Sequence, residues 1–201
     1  MSSGAPMDFS EHKVKTHARE TNLSVVYTID PAMVNDYINT VEQLLAEDKY
    51  KVVGIDLQYT TEPCDRFNRF VNNTDYKFAT VETTDYVKAL SVTGLSCKNL
   101  VEIHDHYKIW GSTKKGSLVE LASAIIDPYY EKRKQNAQRT SPVSWHRAWM
   151  RQQDEPHLRF VAKSVYTCYE IHKRIVDLRK CLVTQIDKSR SSHKQSKRHK
   201  Q

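Results

Sequence analysis

Residues able to do chemistry gather in a few stretches of this chain. The first is Lys51–Tyr59, a run of β-branched residues that reads as a buried strand projecting polar groups, Asp56 and Gln58, at one lip of a sheet. A second is Thr83-Thr84-Asp85, which sets a carboxylate at the start of a short helix. A third is His104-Asp105-His106, where strand-like alternation puts both imidazoles on one side, as metal ligation needs. Histidine at a strand exit is more often simply solvated, and that reading is preferred here. The fourth stretch, Phe160 to His172, offers Ser164, Tyr166, Tyr169 and Glu170 as well. Neither Glu170 nor His172 stands three or four positions from Ser164, so neither shares its helix face.

The elements that must position these groups follow from periodicity. Leu23–Ile29 reads as a strand, and Asp30-Pro31 opens a helix with Asp30 as N-cap and Val34, Ile38, Val41, Leu44 and Leu45 as its apolar stripe. Strands are expected at Lys51–Leu57, Lys77–Val81 and Asn99–Ile103. Between them lie a helix over Pro63–Asn73, with Phe67, Phe70 and Val71 on one side, and a short helix from Thr83. Val87 and Leu90 face inward from that short helix and Gly94 ends it. Ser117 starts a helix that buries Leu118, Leu121, Ala122 and Ile125, and Trp145 and Trp149 bracket a helical turn. A long last helix spans Glu155–Val183, with Cys168, Ile171, Ile175, Leu178 and Leu182 in its stripe. Strands alternating with helices predict an α/β fold with a largely parallel sheet.

With 201 residues the chain holds one real core, over 23–183, between a flexible segment 1–22 and a basic disordered tail 184–201. Charged residues make up 27% and no apolar run is long enough for a membrane span, so no membrane partner is expected. Four cysteines without a C-x-x-C pair, and an N-terminus without a signal-like apolar run, predict an intracellular protein of nucleus or cytoplasm. The net charge of +7 is concentrated in the tail: Lys188–Gln201 carries six Lys/Arg and no acid, leaving about +1 elsewhere. Lys197 and Arg198 there, and Lys132, Arg133, Lys134 and Arg139 in a polar connection, are the candidates for holding a phosphate backbone.

Taken in order, these motifs resemble a known family. The strand ending Asp56-Leu-Gln58, then Thr83-Thr84-Asp85, Asn99-Leu-Val-Glu102-Ile, Ser117-Leu-x-x-Leu121, Ser144-Trp145 and Phe160-Val-Ala-Lys-Ser164-Val-Tyr166 resemble the DEDD 3′–5′ exonucleases. Within that family they resemble the Werner-syndrome-like exonuclease domains, especially the small plant proteins of that type. The resemblance runs from about Leu23 to Leu182 and implies a ribonuclease-H-like fold, with a mixed, mostly parallel sheet flanked by helices. It also implies a site in which four acids hold two Mg²⁺ or Mn²⁺ ions and a tyrosine positions the attacking water. By position the acids fall on Asp56, Gln58, Asp85 and Ser164, and the tyrosine on Phe160. Each carboxylate lost about 4 Å from a cation forfeits on the order of 4 kcal/mol at an effective dielectric near 20. Weak metal binding and little or no cleavage are therefore expected.

Only Tyr59–Glu62 separates Gln58 from Pro63, too few residues for the two further strands the family has there. The strand carrying Asp56 should then expose an edge, inviting a partner strand, a rearranged terminus or self-association into a homo-oligomer. The expectation is a 3′–5′ exonuclease-like protein that binds single-stranded nucleic acid or 3′ ends and is catalytically impaired. The alternatives are an active metal-dependent exonuclease and a non-catalytic protein-interaction module.

Overall fold

A computed structural model describes residues 9–15, 22–28, 30–55, 65–81, 83–92, 94–106, 116–128, 130 and 155–198. The elements run β1 (Phe9–Lys15), β2 (Asn22–Thr28), α1 (Pro31–Glu47), β3 (Val52–Gly54), α2 (Asp65–Val71), β4 (Lys77–Thr80), α3 (Thr83–Val92), β5 (Leu100–Glu102), α4 (Ile103–His106), α5 (Leu118–Ile125) and α6 (Glu155–Arg198). The chain is α/β. Its main sheet is β3-β4-β5, all parallel, with Val52 beside Lys77 and Phe78 beside Leu100.

Side-chain alternation along these strands divides the core in two. Val52 and Ala79 pack with Ile103, Leu121, Ala122, Cys168, Ile171 and Ile175, so α5 and α6 cover one face. Val53, Ile55 and Phe78 pack with Ile38, Leu45, Phe70 and Val71, so α1 and α2 cover the other. Burial on both faces explains the continuous apolar composition of β3.

Local chemistry sets the helix ends. Asp30 caps α1 by accepting from the Ala32 N–H at 2.9 Å, with Pro31 at the first position, where its missing N–H costs nothing. Ser117 and Glu120 form a reciprocal capping box on α5. Gly94, at φ 71°, takes the left-handed turn after α3, and the Leu95 N–H closes back on Leu90 O at 3.0 Å.

Several sequence expectations are corrected. Phe9–Lys15, assigned above to a flexible segment, forms β1 and pairs antiparallel with β2 from Phe9↔Thr28 to Lys15↔Asn22. The pairing supplies what the polar, weakly alternating sequence of β1 does not. The two form a sheet of their own, separate from β3-β4-β5. Leu44 is exposed because it lies about a quarter-turn from the stripe formed by Val34, Ile38, Val41 and Leu45. Val87 is exposed, and Leu90 is the apolar residue of α3 that is buried among those whose side chains are described.

The last helix continues to Arg198 instead of ending at Val183. No Gly or Pro follows Pro156 to stop it, and Lys, Arg and Gln are good helix formers. Leu178 and Leu182, expected in the buried stripe, are exposed, because residues 178–189 extend beyond what the sheet and α5 cover.

Candidate functional site

The parallel strands all deliver their C-terminal ends to one edge of the molecule, where ligands of open α/β sheets are bound. β3 ends at Gly54 and Ile55, whose N–H still bonds Ala79 O at 3.0 Å. Asp56 and Gln58 follow and lie outside the described residues, as do Glu62, Trp145, Trp149, Lys132, Arg133, Lys134 and Arg139. Asp85 lies in the first turn of α3, and Phe160, Lys197 and Arg198 lie along α6, with helical backbone.

Two contacts bring the motif segments together. The first is between β3 and α6. A Cβ built on Gly54 would stand 2.0 Å from the backbone oxygen of Val165, so helix and strand touch backbone to backbone. Only glycine allows that approach. Val165 follows Ser164, which is half-buried. The fourth motif position is thereby set next to the strand end that leads into Asp56.

The second contact is a buried polar network that the sequence reading took for a solvated strand exit. The segment Ile103–His106 is a helical turn, not an extended one, so His104 and His106 do not share a side. Buried His104 brings Nδ1 to 2.7 Å from Glu102 Oε1 and Nε2 to 2.5 Å from Gly116 O. Both ring nitrogens face acceptors. The other carboxylate oxygen of Glu102 accepts from the Thr83 N–H at 2.8 Å and from its hydroxyl at 3.1 Å. Burial pushes the Glu102 carboxyl up, but the hydrogen bonds from Thr83 and His104 outweigh it and hold it below the ordinary carboxylate value. One carboxylate thus ties β5 to the N-terminus of α3, two residues before Asp85, and through His104 to the segment before α5. The signal for it in the sequence was a glutamate set between Val101 and Ile103 at the end of an apolar strand.

The other candidate groups near Ser164 are engaged elsewhere. Glu170 pairs with Lys173 at 3.7 Å and Arg174 at 3.5 Å on its own helix. Burial, then the neighbouring acids, push the Tyr169 phenol up to about 12, so it stays protonated at neutral pH. His172 is buried against the His106 ring, with centroids 5.9 Å apart. His106 in turn meets Arg179, whose guanidinium donates to His106 O at 2.9 Å and approaches its Nδ1 at 3.1 Å.

Among the described residues no three His, Cys, Asp or Glu side chains come together as a metal-holding group. At the positions the resemblance marks, two of the four residue types are not acids. Ser164 presents a short neutral hydroxyl, and Gln58 an uncharged amide, where mutually repelling Mg²⁺ or Mn²⁺ ions need hard anionic oxygens. No helix among the described residues is long and apolar enough to cross a membrane. Comparison with protein-family models, with curated proteins and with solved structures finds no match.

Proposed function

We propose that this chain is a 3′–5′ exonuclease-like, nucleic-acid-binding protein of ribonuclease-H-like ancestry whose hydrolytic chemistry is impaired or lost. The observation that carries the reading is the contact of α6 on Gly54. It sets the Ser164 segment beside the outgoing end of β3, the meeting of motifs that a metal site on this scaffold requires. The Thr83–Glu102 bonds, which hold the start of α3 at the same edge, add support.

With Asp56 and Asp85 as the remaining acids, the site keeps polarity but not the charge to hold a metal pair. Binding then falls to the basic residues Lys132, Arg133, Lys134, Arg139, Lys197 and Arg198 on a phosphate backbone, in the nucleus or cytoplasm. Among the described residues no strand pairs with the second edge of β3. That edge is the proposed route to self-association.

A metal-titrated nuclease assay on a 3′-end-exposed oligonucleotide tests this reading. The natural chain should leave the substrate intact in Mg²⁺ or Mn²⁺ while binding it in a salt-sensitive, EDTA-insensitive way. Activity restored by Gln58→Glu/Ser164→Asp would show that charge alone was missing. A double variant that stays inactive would implicate the shortened connection after Gln58. Cleavage by the natural chain, abolished by Asp56→Ala, would overturn the proposal.

A further inference from the structure

The last helix is gripped at one turn from two sides. Asp177 accepts from the Tyr50 hydroxyl at 2.5 Å. Arg179, about 200° round the helix from Asp177, reaches α4 instead. Its guanidinium donates to His106 O at 2.9 Å and stands 3.1 Å from His106 Nδ1. About two turns earlier on the same face, buried His172 packs edge-on against the His106 ring. His106 therefore meets two side chains of α6, and Arg179 is the outer one, at the start of the part that projects past the sheet and α5.

The chemistry of the outer contact fixes the proton on His106. A guanidinium carries only donors, so Nδ1 can face it only as a lone pair. The imidazole is then neutral, with its hydrogen on Nε2. A proton added at Nδ1 would turn N–H against N–H and set cation beside cation at hydrogen-bond distance. The half-buried ring is open to that proton. Burial first, then Arg179, push its imidazole below the ordinary 6.5; Lys77 of β4 adds to the push, and Asp105 on its own turn opposes it. The His172 ring, held down to about 4, stays uncharged while His106 titrates. The contact across the helix has no such sensitivity. The bond from Tyr50 holds the Asp177 carboxyl below its ordinary value, so it stays ionised throughout the imidazole range.

We propose that His106 and Arg179 form an acid-released latch that holds the root of the projecting part of α6 against α4. Above pH 6.5 the ring is neutral and the latch is closed. As pH falls from 6.5 through the lowered folded value, the ring takes a proton more readily once Arg179 has left, so release is coupled to uptake of one proton. The bond between Tyr50 and Asp177 persists and serves as the pivot. The latch stands on this geometry and not on the nucleic-acid reading above.

Amide hydrogen exchange of the full chain by NMR at pH 7.5 and 5.5, corrected for the intrinsic pH dependence of exchange, tests the latch. At both pH values the amides from Arg179 to Val183 should exchange faster than those of β3, the mark of local opening. On going to pH 5.5 they should accelerate by roughly three- to tenfold. His106→Gln, whose carbonyl accepts from Arg179 but takes no proton, should abolish the acceleration. Arg179→Gln, at an exposed site, should exchange rapidly at both pH values and let the His106 titration rise towards 6.5. No acceleration in the natural chain would overturn the proposal, as would equal acceleration in His106→Gln or α6 amides that exchange at the rate of β3. So would ring-nitrogen shifts that place the proton of neutral His106 on Nδ1.

Discussion

His172 makes an acid-sensitive point in the core whose size is set by its surroundings. It is 5% exposed, its Nδ1 lacks a hydrogen-bond partner among the described residues, and it packs on His106. Burial first, then the nearby charges of His106, Lys77 and Arg179, push its imidazole down to about 4 from the ordinary 6.5. Above pH 6.5 the ring is neutral in folded and unfolded chains, and its contribution to stability is fully present. As pH falls from 6.5 towards 4, the unfolded chain takes up a proton that the folded chain refuses, so stability is lost across that window. At about 1.4 kcal/mol per pH unit the loss is roughly 3 kcal/mol, a large share of the ~5–15 kcal/mol that holds a domain together. Urea denaturation followed by circular dichroism at several pH values between 7.5 and 4 reads it directly. His172→Phe, which keeps a ring against His106, should be at least as stable as the natural chain at pH 7 and should lose roughly 3 kcal/mol less on acidification. Parallel pH profiles for the two proteins would refute the argument. The Glu102 contribution is common to both and cancels.

Three further outcomes follow from contacts described above. Gly54→Ala forces a Cβ into the Val165 carbonyl and should cost about 3 kcal/mol or more, seen as a lowered urea midpoint; an unchanged midpoint would mean that α6 does not lie against β3. Glu102→Gln removes the charge that receives Thr83 and His104, and should cost roughly 3 kcal/mol at pH 7 and speed amide exchange at the start of α3. Because that carboxyl is held low in the folded chain, its contribution is present above pH 4.5 and fades as pH falls below it, so variant and natural chain should converge in acid. Ser117→Ala breaks one half of the α5 capping box and should lower stability by about 1 kcal/mol in the same denaturation measurement.

The legible parts of this fold were those written in local chemistry. Asp30-Pro31, Ser117 and Gly94 announce helix ends because each supplies a specific backbone partner or dihedral, and all three stand where the sequence puts them. The strands β2 to β5 were legible from apolar runs. Features that depend on distant partners were not. β1 is polar and gains its strand character from pairing with β2. His104 looks like a surface residue until Glu102 and Gly116 are seen on either side of it. At the candidate site the importance of Gly54 was hidden for the same reason: a small residue in a strand says nothing of the helix that will lie on it.

The length of α6 sets a scale for the rest of the molecule. Arg179 and Lys180 of this helix meet the domain through His106 and Tyr50. The eighteen residues from Cys181 to Arg198 would carry the helix end about 27 Å farther at 1.5 Å per residue. That is some three Debye lengths in physiological salt, at about 8 Å each. Charge gathered at the far end of such a rod is electrostatically invisible to the strand ends where Asp56 emerges, so the two regions can evolve, and be occupied, without reporting to one another.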